Sequence, residues 1–241
     1  MRRMIPLLFL WILPNFGTAQ TTLDAKEILL KAVQASGGLD KLKAVENFSI
    51  KTQNVIFQPS RKTELTITEI AELPDKSKQI WQLEQGQRIQ VLNGGQSWKQ
   101  MGKEISDLTK AEKREMQKGL IRTTINVFKE SDSSSFSVEY VGKESLAGES
   151  SYVLLFTHES GDFFRMYIDT HNFFVTKKTY QGAPEVGLAF LEEIYSDYRK
   201  VEGIAIPFHT EVRANGRKFI ETDVVEAKFN IDLKDDFFFR R

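Results

Sequence analysis

The chain has 241 residues, 41% of them hydrophobic, which is enough for a sizeable core in one large β-rich domain or two small ones. Its 33 basic and 33 acidic residues cancel, which excludes the basic footprint that nucleic-acid binding requires. It has no cysteine, so disulfides and the usual lipid attachment site of exported lipoproteins are excluded and stability is left to packing.

Residues 1–19 read as a secretory leader. Arg2 and Arg3 give a basic start, Ile5 to Leu13 an apolar run too short to span a bilayer, and Gly17-Thr18-Ala19 a small-residue cleavage site. The mature chain, residues 20–241, is then exported and soluble. Asp24 with Glu27 three residues on predicts a capped helix from Asp24 to Ser36, with Ile28, Leu29, Ala32 and Val33 as its apolar stripe and Gly37-Gly38 as its stop. A short helix from Asp40 to Val45 follows. Strands are expected at Phe48 to Phe57, Glu64 to Glu72, Gln79 to Leu83 and Arg88 to Leu92, with Pro59-Ser60-Arg61 as the first turn and Gln96 to Gln100 opening a further short strand.

The period then changes from two to about 3.6. Thr109 and Glu112 form a capping pair, and Met116, Leu120, Ile121, Ile125 and Phe128 lie on one stripe of a helix from Thr109 to Phe128. Gly119 within it costs about 1 kcal/mol relative to Ala, which points to a break or hinge there. A meander of four strands comes next: Phe136 to Val141, Tyr152 to Thr157, Phe163 to Asp169 and Phe173 to Tyr180. Alternation places Tyr152, Leu154 and Phe156 on one face together with Phe164, Met166 and Ile168. The loop from Gln181 to Gly187, with Pro184, projects from a rim. The last strands are Phe190 to Arg199, Ile204 to Val212 and Phe219 to Phe229, the final one with Phe219, Val225, Ala227 and Phe229 on one face. There is no linker or repeat, so residues 20–241 read as a single α+β domain. Its eleven or twelve antiparallel strands are too many to stay flat and curl into an incomplete barrel, with helices over the concave face.

Several segments together carry a family resemblance: ASGG followed by LDKLKAVENFSI, NGGQSW, VEYVGKESLAGESSYVL, MYIDTHNF, SDYRKVEGIAIPF and a final NIDLKDDFF. In that order they resemble the outer membrane lipoprotein-sorting proteins of the LolA/LolB-like superfamily, over nearly the whole mature chain. The resemblance implies a half-barrel closed by helices around a hydrophobic cavity that receives lipoprotein acyl chains, or another lipid, crossing the periplasm. It also implies a monomer without a cofactor, with an inner-membrane donor and an outer-membrane acceptor as partners. Under it the cavity wall falls to Trp81, Ile89, Val91, Tyr152, Leu154, Phe156, Phe164, Met166, Ile168 and Phe174, and the lid to Met116, Leu120, Ile121, Ile125 and Phe128. The lack of cysteine fits the soluble carrier branch. In that branch the lid is held by an arginine on an early strand, and neither Arg61 nor Arg88 aligns with it.

Enzymatic signals are weak. His158, Asp169 and His171 sit at adjacent hairpin ends but lack close metal-ligand spacing. Glu192-Glu193 and Asp235-Asp236 are adjacent pairs whose members point to opposite faces of a strand, and they read as solvated. Gly37-Gly38 and Gly94-Gly95 lack the context of a phosphate loop, and there is no Gly-x-Ser-x-Gly elbow. No enzyme, metal or cofactor is expected. Phenylalanine supplies 18 aromatic rings against 6 Tyr and 3 Trp, and phenyl rings suit an apolar wall because they need no hydrogen-bond partner. The same rings suit a filled core, which leaves a non-enzymatic envelope interaction module of the same fold as the alternative to a carrier.

Overall fold

The computed structural model describes residues 24–146, 149–182 and 187–240. The leader expected over residues 1–19 and residues 183–186 of the loop around Pro184 lie outside the described residues.

Helix α1 (Ala25–Ala35) starts at Asp24, whose carboxylate accepts from the Glu27 amide at 2.7 Å, and buries Ile28, Leu29, Ala32 and Val33. It stops at Gly37, where φ is +129° and an added Cβ would stand 2.7 Å from the Gly203 carbonyl oxygen. Only glycine therefore allows the helix end to pack against that turn. Helix α2 (Leu39–Lys43) follows and inserts Leu42 into the core.

The strands are β1 (Asn47–Gln58), β2 (Arg61–Glu72), β3 (Lys76–Leu83), β4 (Gly86–Asn93), β5 (Trp98–Met101), β6 (Glu104–Asp107), β7 (Phe136–Leu146), β8 (Glu149–His158), β9 (Phe163–Asp169), β10 (Val175–Gly182), β11 (Ala189–Val201), β12 (Ile204–Ala214) and β13 (Arg217–Phe229). They form one antiparallel sheet in the order β6-β5-β4-β3-β2-β1-β13-β12-β11-β10-β9-β8-β7. Strands β6 and β7 are its two edges, so the sheet is not closed. The strand that sequence reading missed is β6, whose Glu-Ile-Ser-Asp is short and mostly polar; pairing with β5 creates it.

Register divides the sheet into two faces, because paired residues share a face and neighbours along a strand alternate. Phe48 pairs with Ala71 and Phe229, Ala71 with Ser77, and Ser77 with Leu92. In the other half Tyr152, Leu154 and Phe156 pair with Ile168, Met166 and Phe164. All of these except Ser77 join one core cluster with α1, α2 and the helices α3 (Lys110–Ile121) and α4 (Thr124–Lys129), so this is the helix face. Burying each such Phe or Leu contributes about 1.5–3 kcal/mol.

Two expectations are corrected. The helix predicted over Thr109 to Phe128 breaks after Arg122 and not at Gly119, because Thr123 adopts an extended backbone and its hydroxyl caps the Asn126 amide. In β13, a bulge opposite Lys51 and Thr52 leaves Val225 unpaired and 60% exposed. The phase changes at that point, so Ile220, Thr222 and Val224 share the helix face with Ala227 and Phe229, while Phe219 lies on the back.

Candidate functional site

The residues predicted to line a cavity fall into three places. Leu154, Phe156, Phe164, Met166 and Ile168 are at most 1% exposed. Phe156 stacks on Phe164 at 5.3 Å and Phe136 meets both edge-on at 6.1 Å, while Tyr152 stacks on Phe173. This part of the helix face is close-packed. Ile89 and Val91 lie on the back face with Trp98 and Phe238, where the Trp98 indole donates to the Phe238 carbonyl at 3.1 Å. Their phase excludes them from the helix face, which β4 reaches through Arg88, Gln90 and Leu92. Phe174 leaves the core as well and stacks on Tyr198 at 4.4 Å. Trp81 is on the helix face, partly exposed, beneath the Arg88 guanidinium, and its buried indole nitrogen has no hydrogen-bond partner among the described residues.

A partly exposed aliphatic strip continues from Trp81. In register, Trp81 pairs with Ile67, Ile67 with Thr52, Thr52 with Val224, Ile56 with Ile220, and Ile220 with Val212. All are on the helix face, and Ile56, Ile67, Val212, Ile220 and Val224 are intermediate in exposure where the residues beneath the helices are buried.

Between the packed and the partly exposed zones runs a polar strip that sequence reading missed. Glu193 accepts from Tyr180 at 2.5 Å and from the Tyr195 hydroxyl, and pairs with Lys178 at 3.3 Å. Burial pushes the Glu193 carboxyl up, but Lys178 and the two tyrosines outweigh it and hold the group below its usual range. Burial first, and the Glu193 charge second, push both tyrosine hydroxyls well above theirs. Glu69 is raised by burial, against hydrogen bonds from Gln79 and Ser77, and the charge of Glu193 adds to the rise. Glu193, expected to be solvated, is thus a mostly buried carboxylate on the helix face, while Glu192 pairs with Thr179 on the back face. The signal was present in the alternation: in Thr176-Lys177-Lys178-Thr179 and Glu192-Glu193, one member of each charged pair must face inward.

The stripe assigned to the lid is divided between two roles. Leu120, Ile125 and Phe128 are buried in the core and Met116 packs against it, whereas Ile121 lines a cleft of about 850 Å³. Arg114, Gln117, Lys118 and Leu120 of α3, Asn126 of α4, Leu92, Pro74-Asp75 and the turn from His158 to Phe163 line it too. The β2–β3 and β8–β9 turns thus meet at one cleft although six strand steps, about 29 Å in a flat sheet, separate β2 from β9. The sheet is therefore strongly curled. At the cleft edge the buried Arg122, in the link between α3 and α4, clamps Asp162 through Nε at 2.6 Å and Nη2 at 2.5 Å, and Lys178 donates to the Arg122 carbonyl.

The start of α3 is anchored to β5. Glu112 accepts a hydrogen bond from the Thr109 amide at 2.8 Å and pairs with Lys99 at 2.6 Å. Burial pushes its carboxyl up, but the bonds from Lys99 and Thr109 outweigh this and bring it down to about 2. A depressed carboxyl contributes stability that is full above its unfolded pKa and lost as pH falls through the folded value. Glu112→Gln should therefore cost about 1 kcal/mol near neutrality, the usual worth of a cap, and the deficit should vanish between pH 4.5 and 2. Urea unfolding of both proteins at pH 6 and pH 2.5 checks it; an unchanged deficit at the lower pH would contradict the assignment.

The histidines are accounted for locally. His158 Nδ1 bonds Ser160, Asp169 accepts from the amides of His171 and Asn172, and His209 pairs with Asp223 at 2.7 Å on the back face. Among the described residues no three His, Cys, Asp or Glu side chains come together in a group that could hold a metal.

No protein-family profile and no curated protein sequence matches the chain. Solved structures do. A LolA superfamily protein from Nitrosomonas europaea superposes with a TM-score of 0.62 at 15% identity, covering 91% of this chain and 99% of the other. The chain shares the LolA fold. A domain described as an outer membrane lipoprotein-sorting protein from Vibrio parahaemolyticus gives 0.58 at 10% identity over 88% and 95% of the two chains. A DUF1329 family protein from Desulfovibrio piger gives 0.56 at 13% over 90% and 98%. The LolA-like open sheet with its helices is thus established by shape, at identities too low to carry a function across.

Proposed function

We propose that residues 20–241 form a single exported domain that acts as a non-enzymatic periplasmic carrier of hydrophobic ligands. Its cargo on this reading is the acyl chains of lipoproteins, taken from an inner-membrane donor and passed to an outer-membrane acceptor. The observation that carries the proposal is the aliphatic strip of Ile56, Ile67, Val212, Ile220 and Val224, partly exposed on the same face as the core. Helices α1, α2 and α4 fill the aromatic end of that face, and the five residues of the strip belong to neither core cluster, although Leu65 and Asn54 between them are buried. The helix face is the concave one on this reading, since the β2–β3 and β8–β9 turns meet at the cleft lined by α3 and α4, and the strip is then the wall of a trough that an acyl chain would complete. Burial of each methylene there contributes about 0.8 kcal/mol. The LolA fold and the sorting protein among the similar structures agree with this reading.

The test is titration of the full-length protein with a fluorescent fatty acid, with palmitate as competitor. Saturable, displaceable binding at one chain per protein is expected. Absence of binding would overturn the carrier reading in favour of the interaction module, which the close packing of Phe156 and Phe164 independently favours at the aromatic end.

A further inference from the structure

The 850 Å³ cleft has a polar chemistry that acyl binding does not use. Asn126 is 4% exposed and lines it. Its Nδ2 donates to the Ile121 carbonyl at 3.5 Å, and its Oδ1 is buried with no donor among the described residues. A buried acceptor without a protein partner is costly, and a water or a ligand that brings an N–H or O–H would satisfy it. Glu130 lies four residues on and lines the same cleft. On α3, Arg114 and Lys118 are also four residues apart and therefore share a helix face turned to the cleft. Lys118 is only loosely engaged, at 3.5 Å from Glu115 and 3.8 Å from Asp162. Buried Leu92 and Leu120 supply apolar lining. The cleft thus offers two cations on α3, the carboxylates of Asp75, Glu130 and Glu159 with Asp162 held by Arg122, the buried Asn126 Oδ1, and an apolar floor.

We propose that this cleft binds the phosphoethanolamine head group of a phospholipid or lysophospholipid. The phosphate is taken by Arg114 and Lys118, and the primary ammonium donates to Asn126 Oδ1 and Glu130. The proposal rests on the carrier reading only for the position of the acyl tail. A choline head has the same charges and no N–H to donate, so it leaves Asn126 Oδ1 unsatisfied. That difference isolates the acceptor from general electrostatics.

The full-length protein is titrated with lysophosphatidylethanolamine and lysophosphatidylcholine of one chain length. The first should bind roughly tenfold more tightly, the value of satisfying one buried acceptor. Asn126→Leu should bring the two affinities within about twofold, Asn126→Asp should retain the preference, and Arg114→Gln, at an exposed site, should weaken both several-fold. Binding of free fatty acid should be unchanged in all three. In parallel, O-phosphoethanolamine, which has no tail, should shift the Asn126 side-chain amide resonance, and phosphocholine should not. Equal affinity for the two lysolipids in the parent protein would overturn the head-group site. Fatty-acid binding without that discrimination would leave the carrier standing and the head-group site refuted. A phosphoethanolamine shift without fatty-acid binding would refute the carrier and uphold the site.

Discussion

Asp162→Asn should destabilise the protein by about 3–5 kcal/mol, a large part of the roughly 5–15 kcal/mol that a domain has in total. Arg122 is 4% exposed and its partner Asp162 7%. The guanidinium makes a bidentate pair with the carboxylate, donates to the Gln181 carbonyl at 3.3 Å, and lies over the Tyr180 ring at 4.1 Å. Removing the carboxylate charge leaves a buried cation whose remaining partners are a carbonyl and a ring, and that desolvation is what makes breaking a buried pair expensive. Arg122→Met combined with Asp162→Leu should cost less than Asp162→Asn alone, because it removes both charges and not one. Urea unfolding of the parent, the single and the double variant gives the comparison. Hydrogen exchange should report the loss first at α3 and α4, since Arg122 sits in their link and Lys178 also holds its carbonyl. A single variant within about 1 kcal/mol of the parent would show that the pair does not hold the helices down.

Arg122 also shows what the sequence could not reveal. Its aspartate is forty residues away in a turn, and neither local spacing nor charge pattern joins the two; only the curl of the sheet brings the β8–β9 turn to the helix link. Local rules were sufficient where the chain's neighbours settle the outcome. Asp24 and Thr109 cap their helices as their Glu partners at the third position dictate, and the β8–β9 meander keeps the phase that alternation assigns it. They failed where one residue of phase decides the face. Val91 reads as well as Leu92 for a wall, and only pairing of Leu92 with Ser77, and so with Ala71 and Phe48, selects between them. The bulge at Val225 is invisible for the same reason: it is set by the partner strand β1. The polar strip went unread because Lys178, Glu193 and Glu69 look like surface residues until their hydrogen-bond partners are known.

The packed and the open ends of the helix face should respond oppositely to changes in volume. Phe164→Ala removes a ring that is 1% exposed and stacked on Phe156, so it should cost about 3–5 kcal/mol through lost transfer energy and the cavity left behind. Where the variant remains folded, its affinity for a fatty acid should stay within about threefold of the parent's. Ile67→Trp adds volume at a partly exposed position beside Trp81 and Thr52 that belongs to neither core cluster. It should change stability by less than about 1 kcal/mol, well under the roughly 1–3 kcal/mol of overpacking a filled core. It should nevertheless weaken fatty-acid binding at least roughly tenfold, because the indole occupies the area that two methylenes or more of the chain would bury. Paired urea unfolding and fluorescent fatty-acid titration of the two variants decides the matter. If Phe164→Ala abolishes binding while Ile67→Trp leaves it intact, the cargo lies at the β8–β9 end after all, and the packed aromatics must open to admit it.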